Sequence, residues 1–213
     1  MVQKHFISIL LLFVLTEPIF AHKPIWSDKP AVDANTAIAL IDPNISQVVY
    51  RYLPAGPNQI WTTQKAHADF DLYVQIGVPV IDRLKNFRPF LAILAPGLPE
   101  PNLPFEIPAG NGAIVVDTNS TELRFFHEPF TDTDSWILTS RTIKLPEPGR
   151  FYVVAFDPKE AGGKFWISVG QKERFGLADF LNIFQTIRLV QNFHETDTKS
   201  KSNSNETQTG GGT

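Results

Sequence analysis

The 213-residue chain contains no cysteine. That absence removes thiol catalysis, a lipidated cysteine anchor, cysteine-ligated zinc and type 1 copper. A cysteine-free chain in an oxidising compartment must hold together by packing alone, which suits a large domain and not a small stapled scaffold. Net charge is also small, with 19 basic against 22 acidic residues leaving −3. Such a balance gives no general attraction to nucleic acid or an anionic membrane. Beyond the N-terminus no apolar run approaches the ~20 residues a membrane-spanning helix needs. Nor does the sequence hold G-x-S-x-G, H-E-x-x-H or a phosphate-loop pattern. His127-Glu128 is followed by Pro129, which denies the helix that a zinc-binding pair requires.

Lys4 and His5 stand in a short polar head, followed by the apolar run Phe6 to Leu15, a break at Glu17 and Pro18, and the small residue Ala21. This pattern predicts a signal peptide over 1–21, too short to remain as an anchor, and a secreted or periplasmic mature chain. Cleavage after Ala21 makes His22 the first residue; a cut one or two residues away is the alternative. The remaining 192 residues suffice for one domain with a substantial core.

From Thr36 to Gly170 one pattern recurs: β-branched or aromatic runs such as "SQVVYRYL", "QIWTTQK", "DFDLYVQIG", "FLAILA" and "RFYVVAF", separated by Pro, Gly, Asn and Asp. Strands of that length and punctuation predict an all-β, antiparallel, jelly-roll-like sandwich. Phe70, Leu72, Val74 and Ile76 alternate with Asp71, Tyr73 and Gln75, so one face packs and the other is wetter. Gly77 to Phe90 is less regular and reads as a long loop between sheets. After the last strand the period changes to three and four, with Leu177, Phe180, Leu181, Phe184, Ile187 and Val190 on one side. An amphipathic helix over about 175–192 is expected to close the domain 22–195. Residues 196–213 lack apolar anchors and read as a disordered tail.

"VVYRYLPAGPNQIWTTQ", "ADFDLYVQIG" and "LPEPGRFYVVAFDPKEAGGKFWISVG" resemble the bacterial pre-peptidase C-terminal domain and its jelly-roll relatives. Asp71, Leu72 and Tyr73 match its Asp-Leu-Tyr element, and Gly149 to Val169 its last hairpin. The middle of the chain departs from that pattern. The resemblance covers about half the mature chain and implies a fold, together with a secreted accessory or adhesion-type role in a group with some calcium-binding members.

Two constellations could bind metal. If His22 is the first residue, its α-amino group and ring chelate one ion, and a second imidazole from His67 or His127 completes a three-nitrogen site suited to copper. That arrangement resembles the histidine brace of lytic polysaccharide monooxygenases and periplasmic copper carriers. In "FFHEPFTDTDSW", Glu128, Asp132 and Asp134 offer oxygen ligands for calcium, with Asp69 or Asp71 from another strand; turn contacts of Thr131 to Thr133 explain the same residues without a metal. Trp26, Trp61, Trp136 and Trp166 suit a sugar-stacking platform or, more simply, the core. Asn44, Asn119 and Asn205 open N-x-S/T sequons, relevant in a eukaryotic host. The leading expectation is a non-enzymatic binding or envelope-associated module for an extracytoplasmic protein or glycan, acting through Pro79 to Pro89 and Phe126 to Trp136. A copper carrier or redox enzyme is the alternative.

Overall fold

The structure, a computed structural model, describes residues 22–100, 102–174 and 182–196. The expected signal peptide, the beginning of the expected helix and residues 197–213 of the tail lie outside those residues.

Among the described residues the chain is all-β with one α-helix. Its strands are β1 (Lys23–Ile25), β2 (Ile38–Ala39), β3 (Gln47–Leu53), β4 (Gln59–Ala66), β5 (Phe70–Pro79), β6 (Phe90–Ala95), β7 (Gly112–Val116), β8 (Arg124–Glu128), β9 (Thr133–Leu145), β10 (Gly149–Phe156) and β11 (Gly163–Val169), and the helix α1 is Ile183–His194. One sheet has six strands in the order β1-β3-β11-β5-β9-β8; the other has five in the order β2-β4-β10-β6-β7. Pairing is antiparallel except at two edges, where β1 lies parallel to β3 and β2 parallel to β4. Consecutive strands repeatedly cross from one sheet to the other, as a jelly-roll-like sandwich requires.

Alternation decides which side of each strand packs. Leu72, Val74, Ile76, Phe151, Val153, Phe165 and Ile167 point between the sheets and are essentially without exposure. The expected alternation of β5 holds, since Asp71 is exposed and Tyr73 and Gln75 are partly so. The outer faces are covered too. Trp61, Leu94, Tyr152 and Phe156 on the five-stranded sheet pack against Phe105 and Ile107 from the long β6–β7 connection. On the six-stranded sheet, Val48, Ile137 and Trp166 form a second apolar patch with Tyr50 and Phe126.

Helix α1 docks at this patch with Val190 inward and Ile187 half-buried, as the apolar spacing suggests, but with Phe184 turned out. Val190 and His194 are its buried residues, while Phe184, assigned to the packed side from its period, is 84% exposed. Polar anchoring sets the rotation: His194 bonds to Ser135, and Gln191 donates to the Thr131 carbonyl. Where described, the helix runs to His194, two residues beyond the expected end.

Two tryptophans, Trp61 and Trp166, are buried as core residues, whereas Trp26 is 38% exposed and stacks on Tyr50 at 4.8 Å. Trp166 depends on Gly77 of the neighbouring strand. A Cβ built there would stand 2.2 Å from Trp166 Cζ2, so the ring occupies the space that any side chain would need.

Candidate functional site

The two segments singled out from sequence meet at one end of the six-stranded sheet. Pro79 pairs with Ser135, and the Val80 N–H donates to the Asp134 carbonyl at 3.0 Å. The 79–89 segment does link the two sheets, but it is an anchored connection. It carries one 3-10 turn, Asp82–Leu84, and sends Leu84 and Phe87 into the core. The 126–136 segment is a hairpin, with β8 ending at Glu128 and β9 starting at Thr133. Asp132 takes the left-handed conformation at φ 52°, which Asp tolerates better than most residues. Thr131 and Thr133 share a hydroxyl hydrogen bond at 2.8 Å beneath it.

Helix α1 closes this end through a buried relay. His194 Nδ1 donates to the Val190 carbonyl at 2.8 Å, so in the neutral ring Nε2 is the acceptor. The Ser135 hydroxyl donates to Nε2 at 3.1 Å and accepts from Trp166 Nε1 at 3.0 Å. One residue later, Glu195 receives Arg83 from the 79–89 segment and Lys164 from β11. Arg83 first, then Lys164, holds the Glu195 carboxyl far below the usual range, at about 2. Burial pushes the Tyr50 hydroxyl beyond its ordinary range, with Glu128 adding to the effect. The Glu128 carboxyl is itself raised by burial, against a bond from the Phe130 N–H and the nearby His127.

The expected calcium residues divide among other tasks. Glu128 accepts from the Phe130 N–H, Asp134 holds His127 Nδ1 at 2.9 Å, and the Asp132 side chain is 84% exposed, 3.8 Å from His127 Nε2. Asp71 pairs with Lys144, ten residues along β9 from Asp134 and therefore about 30 Å away. It belongs to the opposite end of the sheet. Of the three histidines considered for copper, one stands in a strand and two in separate connecting or terminal segments. His127 is in β8, at the far edge of the sheet from β1 in strand order, and His67 lies between β4 and β5 with Nδ1 on the Ala68 carbonyl. His22 precedes β1 and shares a 2.5 Å hydrogen bond with Ser46 through Nδ1. Burial lowers its pKa, partly offset by Glu173. Among the described residues, no group of three or more His, Cys, Asp or Glu side chains is arranged to hold a metal.

The outward side chains of the hairpin form its most accessible surface. Arg124, Phe125 and His127 are exposed on β8, with Phe125 at 53% and packed edge-on against Trp136 at 5.5 Å. A groove of about 550 Å³ runs beside them between Thr121 to Phe125 and Ile137 to Arg141. The sequence marked this hairpin by its density of aromatic and charged residues. The groove was not legible, because it depends on where β8 stops along β9.

No family model and no curated protein matches the chain. Among solved structures it is similar to PliG of Aeromonas hydrophila, a periplasmic inhibitor of g-type lysozyme. That match has 14% identity over 70% of this chain and 95% of the other, with a TM-score of 0.35. It is also similar to the pre-peptidase C-terminal domain of a Bacillus anthracis collagenase, at 10% identity over 62% of this chain and 93% of that one, with a TM-score of 0.33. The second is of the kind that the Asp-Leu-Tyr element and last hairpin resemble. No helix among the described residues is long and apolar enough to cross a membrane.

Proposed function

We propose that this chain is an extracytoplasmic, non-enzymatic binding module, exported by the segment 1–21, whose interaction surface is the β8–β9 edge of the six-stranded sheet. The observation that carries this reading is the exposed trio Arg124, Phe125 and His127 on a short edge strand. An aromatic ring beside an arginine, backed by Trp136, has the composition of a protein-binding surface. Elsewhere the chain's own helix and connections cover much of both outer faces, and the other exposed large apolar side chains, such as Ile41, Tyr52 and Phe184, lie on separate elements.

The histidine-brace alternative has less support. His22 Nδ1, the ring nitrogen that would chelate together with an α-amino group, is engaged with Ser46. The described contacts of His67 and His127 lie elsewhere.

The test uses the exported protein as bait for extracytoplasmic proteins, side by side with Phe125→Ser and His127→Ala. The expected result is one partner retained by the wild type and lost from both variants, with thermal unfolding unchanged within about 2 °C. Equal retention by all three would remove the hairpin as the interaction surface. A tightly held copper ion in the wild type, lost in His22→Ala, would instead establish the alternative.

A further inference from the structure

Strand β9 is longer than its outer neighbour. β8 pairs with Thr133 to Ile137 only, whereas β5 on the other side pairs onward to Leu145. The connection entering β8 touches β9 once more, where the Thr121 hydroxyl donates to the Leu138 carbonyl at 2.5 Å, and then leads away toward β7. From Thr139 to Leu145 the described residues place no strand on the outer flank of β9.

Which backbone groups face that flank follows from the register. The Gly170 N–H donates to the Tyr73 carbonyl, so Tyr73 directs its peptide groups toward β11. Tyr73 stands opposite Thr142, which makes this a non-hydrogen-bonded pair of the β5–β9 ladder. Thr142 therefore presents its N–H and C=O outward. By alternation Ser140 and Lys144 do the same, while Arg141 and Ile143 bond to β5. The irregularity at Ile76/Gly77 explains why the outward parity is even here although, with the Asp134 carbonyl turned to Val80 on the β5 side, Thr133, Ser135 and Ile137 direct their peptide groups toward β8.

Three outward residues and an adjoining groove make a template for one added strand; of the six outward peptide groups the Ser140 carbonyl already accepts from Arg141 Nη1 at 3.3 Å, a bond that an incoming strand would displace, freeing the guanidinium for a carboxylate. Its charge is basic. Arg124, Arg141 and Lys144 are exposed around it; Glu122 is the acid lining the groove, and Asp71 is already paired with Lys144. A second copy fits poorly. Antiparallel pairing centred on Thr142 would set each Arg141 diagonally across from its counterpart, about 7–8 Å away.

We propose that the free half of β9 binds an extended, acidic segment of a partner protein by strand addition, Ser140, Thr142 and Lys144 supplying the backbone bonds and Arg124 and Arg141 the charge selection. The inference rests on the edge-binding reading above and specifies its partner.

The probe is a blocked seven-residue peptide of alternating Glu and Val, with a Lys-for-Glu counterpart, added to the isotope-labelled exported chain. Binding is expected for the Glu peptide, with slowed amide exchange at Ser140, Thr142 and Lys144, and at least tenfold weaker for the Lys peptide. Thr142→Pro removes one outward N–H that the β5 ladder does not use and should weaken binding at least tenfold; R141E/K144E should do the same without a backbone change. Melting curves check that both variants fold. Loss of peptide binding in Phe125→Ser with none in Thr142→Pro would overturn strand addition while leaving the hairpin as the binding surface. No difference in any of the three, equal binding of the two peptides, or a dimer whose β9 amides are protected without peptide would overturn the proposal.

Discussion

Ser135→Ala probes the contact that joins helix α1 to the sheet. The hydroxyl is buried, accepts from Trp166 Nε1 and donates to His194 Nε2, so one oxygen serves two buried ring nitrogens. Removing it deletes both bonds without leaving room for a full replacement water, since Ser135, Trp166 and His194 are each below 7% exposed. A lost bond that strands a buried donor or acceptor costs about 1–3 kcal/mol, and two such losses give about 2–4 kcal/mol after partial relaxation. For a domain of this size each kcal/mol lowers Tm by about 2–4 °C, so the variant should melt about 4–16 °C lower. Calorimetry gives the shift, and hydrogen exchange should show early opening of Gln191 to His194. Ser135→Thr, which keeps a hydroxyl between Trp166 Nε1 and His194 Nε2, should retain more of the stability than Ser135→Ala. A Ser135→Ala protein within about 0.5 kcal/mol of wild type would refute the relay as the element that docks the helix.

Gly77→Ala should cost at least about 2–3 kcal/mol, because the new methyl would overlap Trp166 Cζ2 at 2.2 Å and displace the ring from Ser135; Trp fluorescence and Tm report it. Glu195→Gln tests the depressed carboxyl. Its folded pKa of about 2 lies below the ordinary 4.5, so its contribution is present above about pH 4.5 and fades as pH falls toward 2. Arg83 is 57% exposed, so solvent screening limits the effect to about 0.5–1 kcal/mol at pH 7; denaturant unfolding of wild type and variant should converge near pH 2. For His22 the sign is the same by another route. Burial depresses the imidazole below 6.5, so the unfolded chain takes up the proton first and stability should fall as pH drops below that value. NMR titration of the His22 ring should give a midpoint under 6.5, and a midpoint above it would contradict the buried setting.

Much of the sandwich was legible because alternation and turn chemistry act locally. Each of the five apolar runs quoted above contributes a strand, and "TAIALI", of the same kind, yields the two residues of β2. Strand β1 escaped notice for a physical reason: three residues, Lys23, Pro24 and Ile25, carry no period, and the strand exists through long-range pairing with Gln47 to Val49. The helix face was misjudged at Phe184 because apolar spacing cannot register a buried histidine. His194 packs at 4% exposure and fixes the rotation through Ser135, fifty-nine residues earlier.

The free half of β9 illustrates a signal of another kind. Nothing in "WILTSRTIKL" separates its paired first part from its open second part; the difference lies in β8 being five residues long and β9 thirteen. An unguarded edge of that length tends to recruit any other edge, yet Arg141 and Lys144 stand on it and Lys144 is held by Asp71. Of the two cations that discourage self-association, Arg141 also favours a strand of opposite charge, together with Arg124 on β8. If solubility were their whole purpose, replacing both with glutamate would keep the chain monomeric and leave every binding property intact. Strand addition instead requires R141E/K144E to stay monomeric while losing the acidic peptide, so sedimentation and titration of one double variant separate protection from recognition.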